Sequence, residues 1–179
     1  MPTPNLFTLF APTTLGRFQL VASTLGLRAV YWPGQKPPIS RHKPHVSSLL
    51  SPASVAPPRI ARLLKTTADQ LARYFAGQKV HFTAPLDLSS LSSFARRVLR
   101  ALSRIPHGRT TTYIQLAKRI GKPTAARAVG TVLARNPIPI IIPCHRVLAG
   151  NGSLGGFSAP GGATLKRRLL LMEGNPPRK

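Results

Sequence analysis

The apolar positions of this 179-residue chain change their period near its middle. From residue 6 to 32 they alternate with polar ones in three short runs, LFTLFA, RFQLVAS and LRAVYW, with turn residues at Thr14 to Gly16 and at Gly26. A period of two belongs to half-buried strands, so a small antiparallel sheet is expected. Between Pro33 and Pro58 the pattern dissolves into Pro, Ser, Lys and His, which predicts a long surface loop with no regular element. Helical spacing returns at Ile60, Leu63, Leu64, Leu71 and Phe75, and Gly77 ends it.

A boundary falls near PLDLSS, residues 85–90, after which the period is helical with one extended break. Phe94, Val98, Leu99 and Leu102 predict a helix halted by IPHG at 105–108, and Ile114, Leu116, Ala117 and Ile120 a second, halted by Gly121. A third opens near Thr124 and runs to about Arg135. Short helices joined by GKPT form either a helix-turn-helix or an ordinary helical hairpin, and the pattern allows both. On the third helix Val129, Val132 and Leu133 form the expected buried stripe, leaving Thr124, Arg127, Gly130 and Thr131 on the exposed face. Apart from its arginine that face is small, which suits close approach of a nucleic-acid backbone.

The run NPIPIIIPC has prolines at 137, 139 and 143, which remove the donors an inner strand needs, so an extended, stiff segment is expected. NGSLGGFSAPGG, residues 151–162, reads as a glycine-rich pocket wall or lid. A last helix over about 163–173 is expected to bury Leu165, Leu169 and Met172. The fold class is therefore α+β. Residues 1–88 form an N-terminal support domain with the proline-rich loop 33–58, and residues 89–179 form a mainly helical C-terminal domain.

Charge narrows the partners. The chain has 26 Lys and Arg against three acids, Asp69, Asp87 and Glu173, for a net charge of +23. Sixteen of the basic residues and one acid lie after residue 88. Such a chain seeks polyanions, and nucleic acid is the first partner to consider, although a ribosomal-type RNA binder fits the composition as well. No run approaches the roughly 18–20 apolar residues of a membrane span, and the N-terminus lacks a signal-peptide pattern, so an intracellular protein without a membrane partner is expected. The single cysteine excludes an intrachain disulfide, and no Cys/His cluster has metal-ligand spacing, so no metal is expected. His42 and His45, in the loop, read as solvated.

That cysteine, Cys144, is followed by His145 and Arg146. A thiol attacks as thiolate, and an imidazole or basic neighbour lowers its pKa, yet neighbours on an extended strand face opposite ways. Taken alone, a lone cysteine is more often a small buried apolar group. Glu173 stands at a helix C-terminus, where the macrodipole disfavours an anion by roughly 0.3–1 kcal/mol. A residue that breaks a local rule is a candidate for function. Either it orients His145 in a Glu, His, Cys relay, or it pairs with one of the arginines.

With these residues in view, IPCHRV, preceded by ARAVGTVLARNPIPII and followed by NGSLGGFSAPGG and LLLMEG, closely resembles the O6-alkylguanine-DNA alkyltransferases, or methylated-DNA-protein-cysteine methyltransferases. The resemblance covers residues 89–175, and TTLGRFQLVASTLGLRAVYWP is similar to that family's N-terminal domain. It implies a ribonuclease-H-like first domain and a winged helix-turn-helix in the second. It also implies irreversible transfer of an alkyl group from O6-alkylguanine, and from O4-alkylthymine, one turnover per molecule, after the nucleotide is flipped from the minor groove.

Cys144 matches the acceptor, His145 the base acting through a water, Glu173 the acid that orients it, and Asn136 the tie between the helices and the acceptor segment. Arg127 matches the finger that replaces the extruded base and Tyr113 the residue at its 3′ phosphate, with Thr124, Gly130, Thr131 and Arg135 also on DNA. Phe157, Ser158, Pro143, Val147 and Leu133 would line the substrate pocket. The implied partner is double-stranded DNA containing alkylated guanine, bound by a monomer without a cofactor. Phe157 stands where relatives often have tyrosine, and Leu99 or Arg100 where a tryptophan is common. Alkyltransferase-like proteins bind damaged DNA without repairing it and lack the acceptor cysteine, which this chain has.

Overall fold

In the computed structural model, which describes residues 5–35 and 50–176, the chain divides at Leu88 into two units, Met1–Leu88 and Ser89–Lys179. Both α and β elements are present, and each unit has its own sheet.

In the first unit, strands β1 (Leu6–Thr13), β2 (Gly16–Ala22), β3 (Leu27–Tyr31) and β4 (Leu50–Pro52) lie in the order β3-β2-β1-β4. The first three pair antiparallel, as their alternation predicts, but β4 runs parallel to β1, so the sheet is mixed rather than antiparallel. The proline-rich loop also ends earlier than expected: Leu50–Pro52 is this edge strand, and Ala53–Val55 a 3-10 turn. An edge strand bonds on one side only and tolerates the donor that proline lacks. The part of the loop holding His42 and His45 lies outside the described residues.

Helix α1 (Pro58–Phe75) starts on proline at its first position, where no N–H is missed, and buries Ile60, Leu64, Leu71 and Phe75. It packs on β1 and β2, where Phe18 stacks on Phe75 with ring centroids 5.0 Å apart and meets Trp32 at 5.2 Å. At Gly26 a β-carbon would sit 2.4 Å from the Pro85 carbonyl oxygen, so only glycine lets the segment ending in Asp87 close on the sheet. There Asp87 accepts hydrogen bonds from Ser23 at 2.6 Å and from Arg28 at 2.8 Å.

The second unit contains α2 (Ser93–Leu102), α3 (Tyr113–Arg119), α4 (Ala126–Ala134) and α5 (Gly162–Met172), with strands β5 (Thr111–Thr112) and β6 (Val147–Leu148) paired in parallel. Ser92 caps α2, and Thr112 caps α3 in a reciprocal box with Gln115. Three expectations change here. Helix α4 opens at Ala126 instead of Thr124, and of its apolar stripe Val129 and Leu133 are buried while Val132 is half-buried. Helix α5 buries Lys166, Leu169 and Leu170, leaving Leu165 and Met172 half-buried. Its inward face is rotated because a charged group occupies the interior, which hydropathy does not anticipate.

The third change concerns NPIPIIIPC, which folds into tight turns instead of extending. Ile142 N–H donates to Ile138 O at 2.9 Å, and Ile140 has φ of 71°. That angle is costly for a β-branched residue and is imposed by the surrounding bonds. Proline excludes the ladder but also fixes φ near the value turns require. No helix among the described residues is long and apolar enough to cross a membrane.

Candidate active site and nucleic-acid face

The segment carrying the cysteine closes as a 3-10 turn, Cys144–Arg146, held by Cys144 N–H to Ile142 O at 2.9 Å and Arg146 N–H to Pro143 O at 3.0 Å. On this turn Cys144 and His145 do not alternate as they would on a strand. Asn136 fastens the approach to it: its amide donates to Ile142 O at 2.8 Å and its carbonyl accepts from Ile138 N–H at 3.1 Å. The end of α4 is thereby tied to the turn that carries the thiol.

Behind the thiol lies a buried ion cluster. His145 Nε2 is 2.8 Å from Glu173 Oε1, and both side chains are fully enclosed. Arg146 grips the same carboxylate in bidentate fashion, Nε to Oε2 at 2.8 Å and Nη2 to Oε1 at 2.9 Å, and donates to Ile105 O at 2.6 Å. The two alternatives for Glu173, histidine partner or arginine partner, are thus both realised at once. Burial pushes the Glu173 carboxyl up, but the hydrogen bonds and charges of His145 and Arg146 outweigh it and hold it well below the usual carboxylate range. This pairing also offsets the unfavourable helix end on which Glu173 stands.

Burial holds the His145 imidazole below its ordinary value, against the pull of Glu173. An ionised carboxylate only accepts, so Nε2 carries the proton of the neutral ring and Nδ1 keeps its lone pair. The Cys144 thiol is pushed up by burial, opposed by the Asn136 side chain, the Lys166 charge and the backbone N–H groups of Cys144 and His145. At rest Cys144 is a thiol that must lose its proton to react.

Cys144 meets a pocket of about 280 Å3 whose walls include Tyr113, Gly130, Leu133, Phe157 and Ser158. Pairing of Thr111 with Val147 across β5 and β6 sets the start of α3 beside the Cys144 turn, which delivers Tyr113 to this wall. Pro143 and Val147, expected to line the pocket, are instead buried behind it. Thr124, Arg127, Thr131 and Arg135 are exposed, and Gly130 alone of that set reaches the pocket.

Lys166 was not singled out in the sequence. It is fully buried, and its Nζ donates to Val147 O at 2.6 Å, to Leu154 O and to Gly156 O at 3.5 Å. Burial pushes its pKa down to about 8, opposed by Cys144. The available signal was its place three and four residues before Leu169 and Leu170, on the face that those leucines bury.

Among the described residues no group of histidine, cysteine and acidic side chains could hold a metal ion. The site is one cysteine at the mouth of a base-sized pocket, backed by a neutral imidazole on a fixed carboxylate.

Residues 93–175 match the family described as 6-O-methylguanine DNA methyltransferase, DNA binding domain. The chain is 46% identical over 112 residues to the methylated-DNA-protein-cysteine methyltransferase of Mycolicibacterium paratuberculosis, covering 63% of this chain and 66% of that one. It is 47% identical over 111 residues to the protein of that name from Archaeoglobus fulgidus, covering 60% and 73%. The match thus spans just under two thirds of the mycobacterial relative. A crystal structure of Mycobacterium tuberculosis OGT in complex with DNA superposes with a TM-score of 0.72 at 36% identity, covering 96% of this chain and 94% of that one.

Proposed function

The chain belongs to the methylated-DNA-protein-cysteine methyltransferase family, and on that premise we propose that it repairs DNA by transferring the alkyl group of O6-alkylguanine to Cys144, once per molecule. The observation that carries this reading is the Cys144 thiol at the wall of an open pocket, with its neighbour His145 locked to a buried Glu173. His145 Nδ1 takes the thiol proton, through a water, and Glu173 stabilises the imidazolium so formed. The sulfur then attacks the alkyl carbon in line. A carbon–sulfur bond forms, the carbon–O6 bond breaks with its electron pair going to the guanine, and the purine regains a proton from the site. The product is a thioether, so the protein is consumed.

The pocket is too small for a base pair, and the guanine enters it only after rotating out of the duplex, at a cost of a few kcal/mol. The α3–α4 pair with the β5–β6 ribbon supports a winged helix-turn-helix reading, in which Thr124, Arg127, Gly130, Thr131 and Arg135 follow the minor groove. Arg127 is the residue that fills the vacated stack, while Tyr113, on the pocket wall, turns the nucleotide at its 3′ phosphate. Phe157 packs on the purine and Ser158 faces O6. O4-alkylthymine offers the same carbon on a smaller ring and is the second substrate.

Every catalytic group in this scheme comes from one chain, which supports action as a monomer wherever the cell keeps its DNA. The order β3-β2-β1-β4, with β4 parallel to β1 and α1 against the sheet, supports a ribonuclease-H-like first unit. Intact-protein mass spectrometry tests the reaction. Exposure to a duplex containing O6-methylguanine should add one methyl group, on Cys144, and Cys144→Ala should stay unmodified while still binding DNA. A wild-type mass that does not change after full exposure overturns the proposal.

A further inference from the structure

Helix α2 presents Ser93, Arg96, Arg97, Arg100 and Ala101, and the turn after it Arg104, to a groove of about 480 Å3 that Arg119, at the end of α3, closes from the other side. Steps of three and four put Arg96, Arg97 and Arg100 on one face of α2, opposite the buried Val98, Leu99 and Leu102. Arg97, Arg100, Arg104 and Arg119 are exposed. Like charges four apart on the helix, Arg96 with Arg100, work against the helix that carries them.

No carboxylate relieves them: Asp69 pairs with Lys65, Asp87 with Arg28 and Glu173 with Arg146, and no ion pair among the described residues involves the groove. Along α2 Arg96 and Arg100 are about 6 Å apart on the axis, and Arg104 follows in the turn after the helix, so the row extends past the reach of one phosphate and suits several. The arginines belong to α2, the turn after it and the end of α3, not to the exposed face of α4.

We propose that this arginine groove is a second nucleic-acid contact, which holds the phosphate backbone of duplex DNA without reading its bases. The proposal rests on the repair reading only for the identity of its partner. A fivefold guanidinium row adds sequence-independent affinity and counterion release, which a protein searching undamaged DNA for rare lesions can use.

The test is the combined variant Arg97→Gln, Arg100→Gln, Arg104→Gln and Arg119→Gln in the full chain. Binding of a fluorescein-labelled duplex of about two helical turns is titrated from about 50 to 200 mM salt. The slope of log affinity against log salt should fall in magnitude by about 3, equally for duplexes with and without an alkylguanine. Alkyl uptake from free O6-benzylguanine, which requires no DNA, should be unchanged and reports an intact fold. A combined Arg→Lys variant should keep the wild-type slope. An unchanged slope in the Gln variant overturns the groove, as does a loss confined to RNA duplexes or one abolished by millimolar inorganic phosphate. Failure of the wild type to take up the benzyl group would instead count against the repair chemistry and leave the salt result standing.

Discussion

Lys166 is a full cation in the interior of a unit whose one acid, Glu173, is already engaged by Arg146 and His145. It persists because backbone carbonyls of Val147, Leu154 and Gly156 surround its ammonium, joining the strand after the acceptor turn to the glycine-rich wall. Its charge is also one of the influences that favour the Cys144 thiolate. Lys166→Met leaves those carbonyls without a donor and should lower stability by about 3 kcal/mol, read by urea denaturation. It should also move the pH midpoint of Cys144 alkylation by iodoacetamide upward. A midpoint equal to the wild type would show that the ammonium only staples the wall. The pKa of about 8 means the group is charged at neutral pH, where this effect is wanted.

Helix α4 performs two tasks that conflict in one residue. Gly130 lies in its middle, where glycine costs about 1 kcal/mol relative to alanine, yet a β-carbon there would only come to 3.7 Å from the Tyr113 ring. No clash explains the glycine, so the open space beside the ring does. Gly130→Ala should raise stability by about 0.5–1 kcal/mol while slowing alkyl uptake from DNA, because the added methyl group narrows the pocket mouth that Gly130 and Tyr113 share. Thermal denaturation and single-turnover transfer measure the two effects, and a variant with both unchanged or both improved contradicts this account. Gly121, which ends α3 at φ of 70°, has open space around it and is glycine for its backbone angle alone.

A net charge of +23 acts on the molecule as a whole. Self-repulsion opposes the folded state and is screened by salt, whereas salt weakens binding to DNA. Raising NaCl should therefore increase the melting temperature while reducing duplex affinity; calorimetry and titration on one preparation would reveal both signs. Acid acts through the buried cluster. Glu173 is held below its unfolded value, so its contribution is complete above about pH 4.3 and is lost as pH falls toward its folded value. His145, lowered by burial, loses stability as pH drops below about 6.5, where the unfolded chain takes up the proton first. Stability should fall steadily from pH 7 to 4. Glu173→Gln should be less stable at pH 7 and show a flatter decline below pH 5, and a parallel decline would remove the cluster as the cause.

Local order in the chain was enough for much of this. Alternation in residues 6–32 marked three strands, and the 3.6-residue spacing marked helices α1, α2, α3 and α4 with most of their buried positions, because burial of one face is a local, periodic demand, although Ile114 of α3 is exposed. Cys144, His145 and Glu173 stood out by composition and position, and Asn136 through the family resemblance, before any contact was known. Tertiary structure alone decided what carries no period. It placed β4 parallel to β1 across the proline-rich region, turned NPIPIIIPC into a turn with Ile140 at positive φ, and rotated α5 to bury Lys166. It also satisfied Glu173 with a histidine and an arginine together. The strand pairing, the burial of Lys166 and the double engagement of Glu173 are settled by partners that lie far away along the chain, and the turn by bonds among Asn136, Ile138 and Ile142, where bonding a buried charge or donor outweighs the preference of the segment that holds it.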